Sequence, residues 1–174
     1  MLKTIAIVAG AGIAAVLLYA ATRPDSFRIA RSTTVKAPAG KLHALINDLH
    51  QFNTWNPYDR GDPQARGEYA GPGMGPGAIY HFAGGKYGSG SLRILESAPT
   101  RVSMELHMRE PMDARNQLQF TLQPRGDATE VTWSMEGPSP YVSKLIGVFL
   151  DMDRMVGSQF ESGLADLKQR AERT

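Results

Sequence analysis

The chain has 174 residues, of which 42% are hydrophobic and 21% are charged, a composition typical of one globular domain rather than of a disordered chain. Its 19 Lys and Arg residues stand against 17 Asp and Glu residues, and this near balance argues against a nucleic-acid-binding protein. Because the chain has no cysteine, disulfide frameworks, Cys-ligated zinc, iron–sulfur clusters and thiol catalysis are excluded.

An uncharged apolar segment at residues 5–21 comes first. As a helix it would span roughly 25 Å, slightly less than the hydrocarbon thickness of a bilayer. The segment therefore predicts a single-pass membrane helix, with an anchor at residues 1–22 and a domain at residues 23–174. A cleaved signal peptide is the alternative, although large side chains stand where its cleavage site would need small ones.

Basic residues flank this segment unequally. Lys3 precedes it, whereas Arg23, Arg28 and Arg31 follow it. Since cytoplasmic flanks carry the excess of Lys and Arg, this distribution predicts that the domain faces the cytoplasm.

Alternating polar and apolar residues at 27–36 predict a strand, and Pro38 then precedes a short amphipathic helix at residues 39–52. A loop with Trp55 and Tyr58 follows. Further strands are predicted between turns, at residues 68–70, 77–83, 89–97, 102–109, 117–122 and 131–136. The last three alternate most clearly, which is typical of an antiparallel sheet with one dry face.

After the last strand the apolar period becomes helical, and we expect one long helix over residues 141–173. Its predicted apolar stripe consists of Leu145, Phe149, Met152, Val156, Phe160, Leu164 and Leu167. The chain is thus predicted to be α+β, with a curved antiparallel sheet wrapped around a long C-terminal helix.

Several motifs resemble the START/polyketide-cyclase-like (SRPBCC) superfamily. They are RSTTVKAP at 31–38, LIND at 45–48 and FNTWNPY at 52–58. Strand segments at 77–80, 88–90 and 131–135 are similar to a subgroup that also carries an N-terminal membrane segment. The resemblance implies a helix-grip fold, in a superfamily of lipid carriers, hydrophobic-ligand receptors, chaperone regulators and a few cyclases.

The inward faces of the strands predict a cavity between the sheet and the C-terminal helix for a hydrophobic or amphipathic molecule, lipid- or quinone-like. Gly88 and Gly90 would leave room in its wall. The residues expected to bind the ligand are Trp55, Tyr80, Phe82, Leu92, Met104, Leu106, Phe120, Trp133, Met135, Met152 and Met155.

No spacing in the sequence indicates a catalytic constellation, a metal site or a cofactor. An enzyme of the cyclase, aromatase or hydratase type remains an alternative, with Tyr80, Glu96 or His81 as acid–base groups. A polar mouth formed by Asp59 and Arg60 is a further possibility. The other alternative is a scaffold or chaperone-interaction domain without a ligand, and the sequence leaves the oligomeric state open.

Overall fold

The chain forms a seven-stranded sheet flanked by helices in a computed structural model, which describes residues 1–61, 64 and 66–173. The helices are α1 (Leu2–Ala21), α2 (Ala39–Asn47), α3 (Leu49–Asn53), α4 (Pro57–Arg60), α5 (Tyr141–Phe149) and α6 (Met152–Glu172). The strands are β1 (Ser26–Val35), β2 (Arg66–Ala70), β3 (Ile79–Ala83), β4 (Ser89–Ala98), β5 (Arg101–Glu110), β6 (Ala114–Arg125) and β7 (Ala128–Pro138).

The sheet is antiparallel throughout, in the order β1-β7-β6-β5-β4-β3-β2. Its inward face is dry because apolar residues recur at every second position, as Leu118, Phe120 and Leu122 do in β6. α6 packs along the edge strand β1 and touches β7. This architecture is the α+β helix-grip fold that the sequence predicted.

We call the two ends of the sheet the open end and the closed end, and we define them by the paired strands β1 and β7. At the open end β1 begins opposite the end of β7, with Ser26 paired to Pro138. At the closed end β1 finishes opposite the start of β7, with Val35 paired to Thr129. The turn between β5 and β6 lies at the open end as well, since Met108 pairs with Ala114 there.

The C-terminal segment is not one helix, and this prediction was wrong. α5 ends at Phe149, Leu150 is extended, and Asp151 caps α6 by accepting a hydrogen bond from the Arg154 backbone N–H at 3.0 Å. The predicted helix at 39–52 is broken in the same way at Asp48, which caps α3. Aspartate stabilises a helix start because its carboxylate accepts from the unpaired backbone N–H groups there.

α1 projects from the domain and is long and apolar enough to cross a membrane over Lys3–Ala21, a span of which only 6% is buried. Its C-terminal end contacts α5. There the Tyr141 hydroxyl donates to the Leu17 carbonyl at 2.9 Å, and Arg23 donates to the Gly147 carbonyl at 3.2 Å. The end of α1 is therefore joined to the open end of the sheet.

Candidate functional site

The inward face of the sheet is concave, and we call the half of it nearer the closed end its closed half. An aromatic cluster fills this closed half. Trp55, Phe120 and Trp133, all predicted ligand contacts, are at most 1% exposed and pack with Phe52 and Phe160. Phe160 stacks on Trp133 with ring centroids 4.1 Å apart, and Trp55 meets Trp133 edge-on at 5.8 Å. Side chains thus occupy the space between sheet and helix that the sequence predicted to be open.

One polar atom inside this cluster lacks a partner. The indole Nε1 of Trp133 is buried and has no hydrogen-bond acceptor among the described residues. A buried donor without an acceptor costs free energy, so an acceptor oxygen brought to this point would stabilise the site.

The middle of the concave face is also closely packed. Tyr80 pairs with Leu92 across β3 and β4, while Met104 and Met135 both lie opposite Leu118. The four predicted residues of this group are between 0% and 9% exposed. They form the wall beneath the open end rather than an exposed binding surface.

The half of the concave face nearer the open end, which we call its open half, retains apolar side chains that are only half-buried. Phe82 and Leu106, both predicted ligand contacts, belong to this group, and Met108 joins them. Met108 has the same strand parity as Met104 and Leu106, a signal that the sequence contained and the predicted site omitted. These side chains lie on β3 and β5, whereas α6 packs along β1 and β7.

The glycines in this wall leave no empty space. A Cβ on Gly90 would lie 2.7 Å from the Phe82 ring and 2.4 Å from the His107 carbonyl oxygen. Gly88 has φ +78°, and a Cβ there would meet the Glu110 backbone. Both glycines thus permit close approach of chain segments, and the expectation that they make room for a ligand was wrong.

Two predicted contacts lie outside the concave face. Met152 is 43% exposed and Met155 is 54% exposed, both in the first turn of α6. The break before Asp151 turns these residues away from the sheet, and Val156 is the half-buried residue of this stretch. We therefore correct their placement in the cavity wall.

A polar pair lies at the edge of the packed region. The Tyr80 hydroxyl donates a hydrogen bond to the Asp59 carboxylate of α4. Burial raises the pKa of Tyr80 above its usual range, and the hydrogen bond to Asp59 raises it further. The phenol stays protonated at neutral pH, so it acts as a hydrogen-bond donor and not as a base.

Other polar candidates do not face the interior. Glu96 is exposed and pairs with Arg101 at 3.2 Å, and His81 lies on the outer parity of β3 opposite Ser91. Arg60 binds Asp166 of α6 at 2.5 Å rather than forming a polar mouth with Asp59. Within residues 1–61, 64 and 66–173 there is no group of three or more side chains placed to hold a metal ion.

Two surface depressions supplement this picture. A small pocket of about 70 Å³ lies between α3 and β2–β3, beside the stacked rings of His50 and Tyr69. A wide groove of about 640 Å³ lies at the open end, lined by Ser26, Phe27, Arg28, Arg115, Gln117, Glu136 and Gly137. Neither was predicted, and the groove in particular joins strands β1, β6 and β7, which lie far apart in the sequence.

A family model described as "Polyketide cyclase / dehydrase and lipid transport" matches residues 26–172, which leaves α1 outside the match. No curated protein matches the chain significantly.

Solved structures share the fold at low sequence identity. Protein CV1439 from Chromobacterium violaceum is 15% identical with a TM-score of 0.61, covering 87% of this chain and 100% of its own. The Aha1 dimer from Colwellia psychrerythraea is 14% identical with a TM-score of 0.60, covering 84% and 97%. CalU16 from Micromonospora echinospora is 18% identical with a TM-score of 0.56, covering 84% and 75%. Such similarity establishes fold and leaves function to the site.

Proposed function

The chain belongs to the polyketide cyclase/dehydrase and lipid transport family, and from this membership we propose a membrane-anchored domain that binds a hydrophobic or amphipathic small molecule. A lipid- or quinone-like molecule would bind at the open half of the concave face. The family description supports the class of ligand, and α1 supports the anchor.

The observation that carries this proposal is the incomplete cover of the concave face. Phe82, Leu106 and Met108 remain half-buried on a face whose other half is packed to near-complete burial. Apolar side chains at the edge of a packed core bind apolar molecules because each buried Å² contributes roughly 25 cal/mol. Methionine adds a flexible contact that adapts to ligands of different shape.

The packed half of the face sets the depth of the site. Tyr80, with Leu92 beside it, forms the floor, and below it the aromatic cluster occupies the interior. The ligand is therefore expected to insert an apolar portion against Leu106 and to leave its polar portion towards solvent or lipid. The Tyr80–Asp59 pair lies at the edge of this floor, where the Asp59 carboxylate or the Tyr80 oxygen would accept a hydrogen bond from a ligand hydroxyl.

Native mass spectrometry of the full chain, extracted from its own membranes into nanodiscs, tests the proposal. We expect a co-purifying amphiphile on the wild-type protein and its loss from Leu106→Trp, which fills the open half. Arg109→Trp is the matched control, because Arg109 lies on the outer parity of the same strand and is exposed. A wild-type protein without adduct, or equal retention by both variants, would refute ligand binding here.

The same spectra test the anchor. An intact mass that includes residues 1–22 is expected for an anchor, whereas their loss would mean that the apolar segment is a cleaved signal peptide.

A second candidate, an enzyme of the cyclase or dehydrase type, is favoured by the Tyr80–Asp59 pair alone. The raised pKa of Tyr80 keeps its phenol protonated, so the phenol would donate a hydrogen bond that polarises a carbonyl oxygen when that oxygen replaces Asp59 as its acceptor. In that case the bound molecule would lose water during incubation with the wild type and stay unchanged with Tyr80→Phe. If the protein is a carrier and not an enzyme, the molecule should be recovered unchanged from both the wild type and Tyr80→Phe.

A further inference from the structure

An apolar patch covers the α5–α6 junction at the open end. The exposed fractions of its side chains lie between 39% for Ile146 and 74% for Phe149. Its members are Val142, Ile146, Phe149, Leu150, Met152 and Met155. Six exposed apolar side chains gathered at one junction differ from the singly scattered apolar residues of an ordinary surface, so this junction patch indicates an interaction site.

The patch has the form of an amphipathic helix followed by an apolar turn. Val142, Ile146 and Phe149 recur at i, i+4 and i+7, which places them on one face of α5. The opposite side of α5 is turned to the protein, where buried Lys144 pairs with Asp25. Such a helix lies in the plane of a membrane interface when its free face is apolar.

The short connection to α1 restricts what can cover this patch. α1 ends at Ala21 and β1 begins at Ser26, so four residues join them. Even fully extended, this linker reaches only roughly 17 Å. Tyr141 and Arg23 shorten the separation further by bonding α5 to the end of α1. The patch therefore lies where a membrane-spanning α1 would leave the bilayer.

We propose that the junction patch docks on the surface of the bilayer that α1 spans. The inference rests on the proposed anchor and adds a second membrane contact to it. The β5–β6 turn supports the same orientation, because Met112 of this turn is 45% exposed at the open end.

Docking directs the open half of the concave face towards lipid. Phe82, Leu106 and Met108 lie at the end of the sheet that carries the patch. An apolar ligand therefore moves between the bilayer and the site without crossing water. We favour a bilayer over a protein partner because the four-residue linker keeps the patch beside the membrane that α1 spans, whatever proteins are nearby.

The absence of native cysteine makes a depth measurement direct. Single-cysteine variants Leu150→Cys in the patch, Ile13→Cys in α1 and Asp127→Cys in the β6–β7 turn at the closed end are labelled with NBD. The full chain is reconstituted in phosphatidylcholine vesicles that contain doxyl-labelled lipid. We expect strong quenching at Ile13 and intermediate quenching at Leu150. Quenching at Asp127 should be roughly threefold weaker than at Leu150.

A second variant checks that apolar contact causes the docking. Adding Phe149→Asp to Leu150→Cys should reduce quenching at Leu150 to the level at Asp127, and adding it to Ile13→Cys should leave quenching at Ile13 unchanged. Circular dichroism controls for folding of this variant.

Each outcome has a separate meaning. Quenching at Ile13 without quenching at Leu150 overturns the docking and leaves the anchor intact. No quenching at Ile13 overturns the anchor itself. A blue-shifted label at Leu150 that lipid does not quench means that a protein surface, such as a second copy of this chain, covers the patch, and this also overturns the docking.

Discussion

Replacing Phe160 by alanine should remove the centre of the interface between α6 and the sheet. Phe160 is 1% exposed, and its ring stacks on Trp133 at 4.1 Å with an angle of 11° between the ring planes. A buried Phe→Ala change costs about 4 kcal/mol, from lost apolar burial and the cavity left behind. Since small domains unfold with about 5–15 kcal/mol, this is a large part of the total stability.

Phe149→Ala is the matched control, because it makes the same change in the neighbouring helix. Phe149 is 74% exposed and the domain itself buries little of its ring, so we expect a change well below that of Phe160→Ala even where detergent covers the patch. A single unbroken helix with one apolar stripe would instead bury both phenylalanines. The pair of variants thus tests the break at Leu150 and Asp151 directly.

Urea unfolding of the full chain in detergent, followed by tryptophan fluorescence, provides the measurement. The two tryptophans, Trp55 and Trp133, both lie in the aromatic cluster, so their emission reports its unfolding. At an m-value of about 2 kcal/mol/M, Phe160→Ala should lower the midpoint by roughly 2 M. Equal shifts for Phe160→Ala and Phe149→Ala would refute the assignment of α6 as the packing helix.

Substitutions at three further positions test other contacts of the fold. Tyr80→Phe should cost about 1–2 kcal/mol at pH 7 by removing the bond to Asp59, and its deficit should narrow above pH ~10 in urea titrations. Because the folded-state pKa of Tyr80 is raised, only the wild type loses the contribution of this residue to stability there, as its unfolded tyrosine ionises. Gly163→Ala should destabilise by about 1 kcal/mol despite its better helix propensity, since its Cβ would lie 2.8 Å from the Trp133 ring; a higher melting temperature would contradict this close packing. Asp151→Ala should lose about 1 kcal/mol of cap stabilisation, whereas Asp151→Asn should retain it in the same melts.

Local patterns predicted the strands well. In β6, Leu118, Phe120 and Leu122 alternate with polar residues, and the sequence showed this period without any knowledge of the partners. The same kind of signal predicted α1, because a long uncharged run needs no tertiary contact to be recognised.

Periodicity failed at the helix breaks. Phe149 and Met152 are three residues apart, so the apolar stripe continues in the sequence across a point where the backbone does not. The aspartates at 48 and 151 were the available signal, since each accepts backbone N–H bonds at a helix start. Residues that suit a helix cap also occur on exposed helix faces, so composition alone did not distinguish the two.

The site depended on contacts between distant residues. Asp59 of α4 and Tyr80 of β3 are 21 positions apart, and only the folded chain brings their side chains together. The Phe82 ring from the neighbouring strand fills the space beside Gly90, and strand parity alone does not show this contact.

The sequence alone was enough to predict an apolar leading helix, an antiparallel sheet with one dry face and a C-terminal helical region. These features have a short-range period of two or of 3.6 residues. Only the tertiary structure decided which part of the dry face is packed and which stays open. The reason is that packing depends on how side chains from separate elements share one volume, and that volume exists only once the chain has folded.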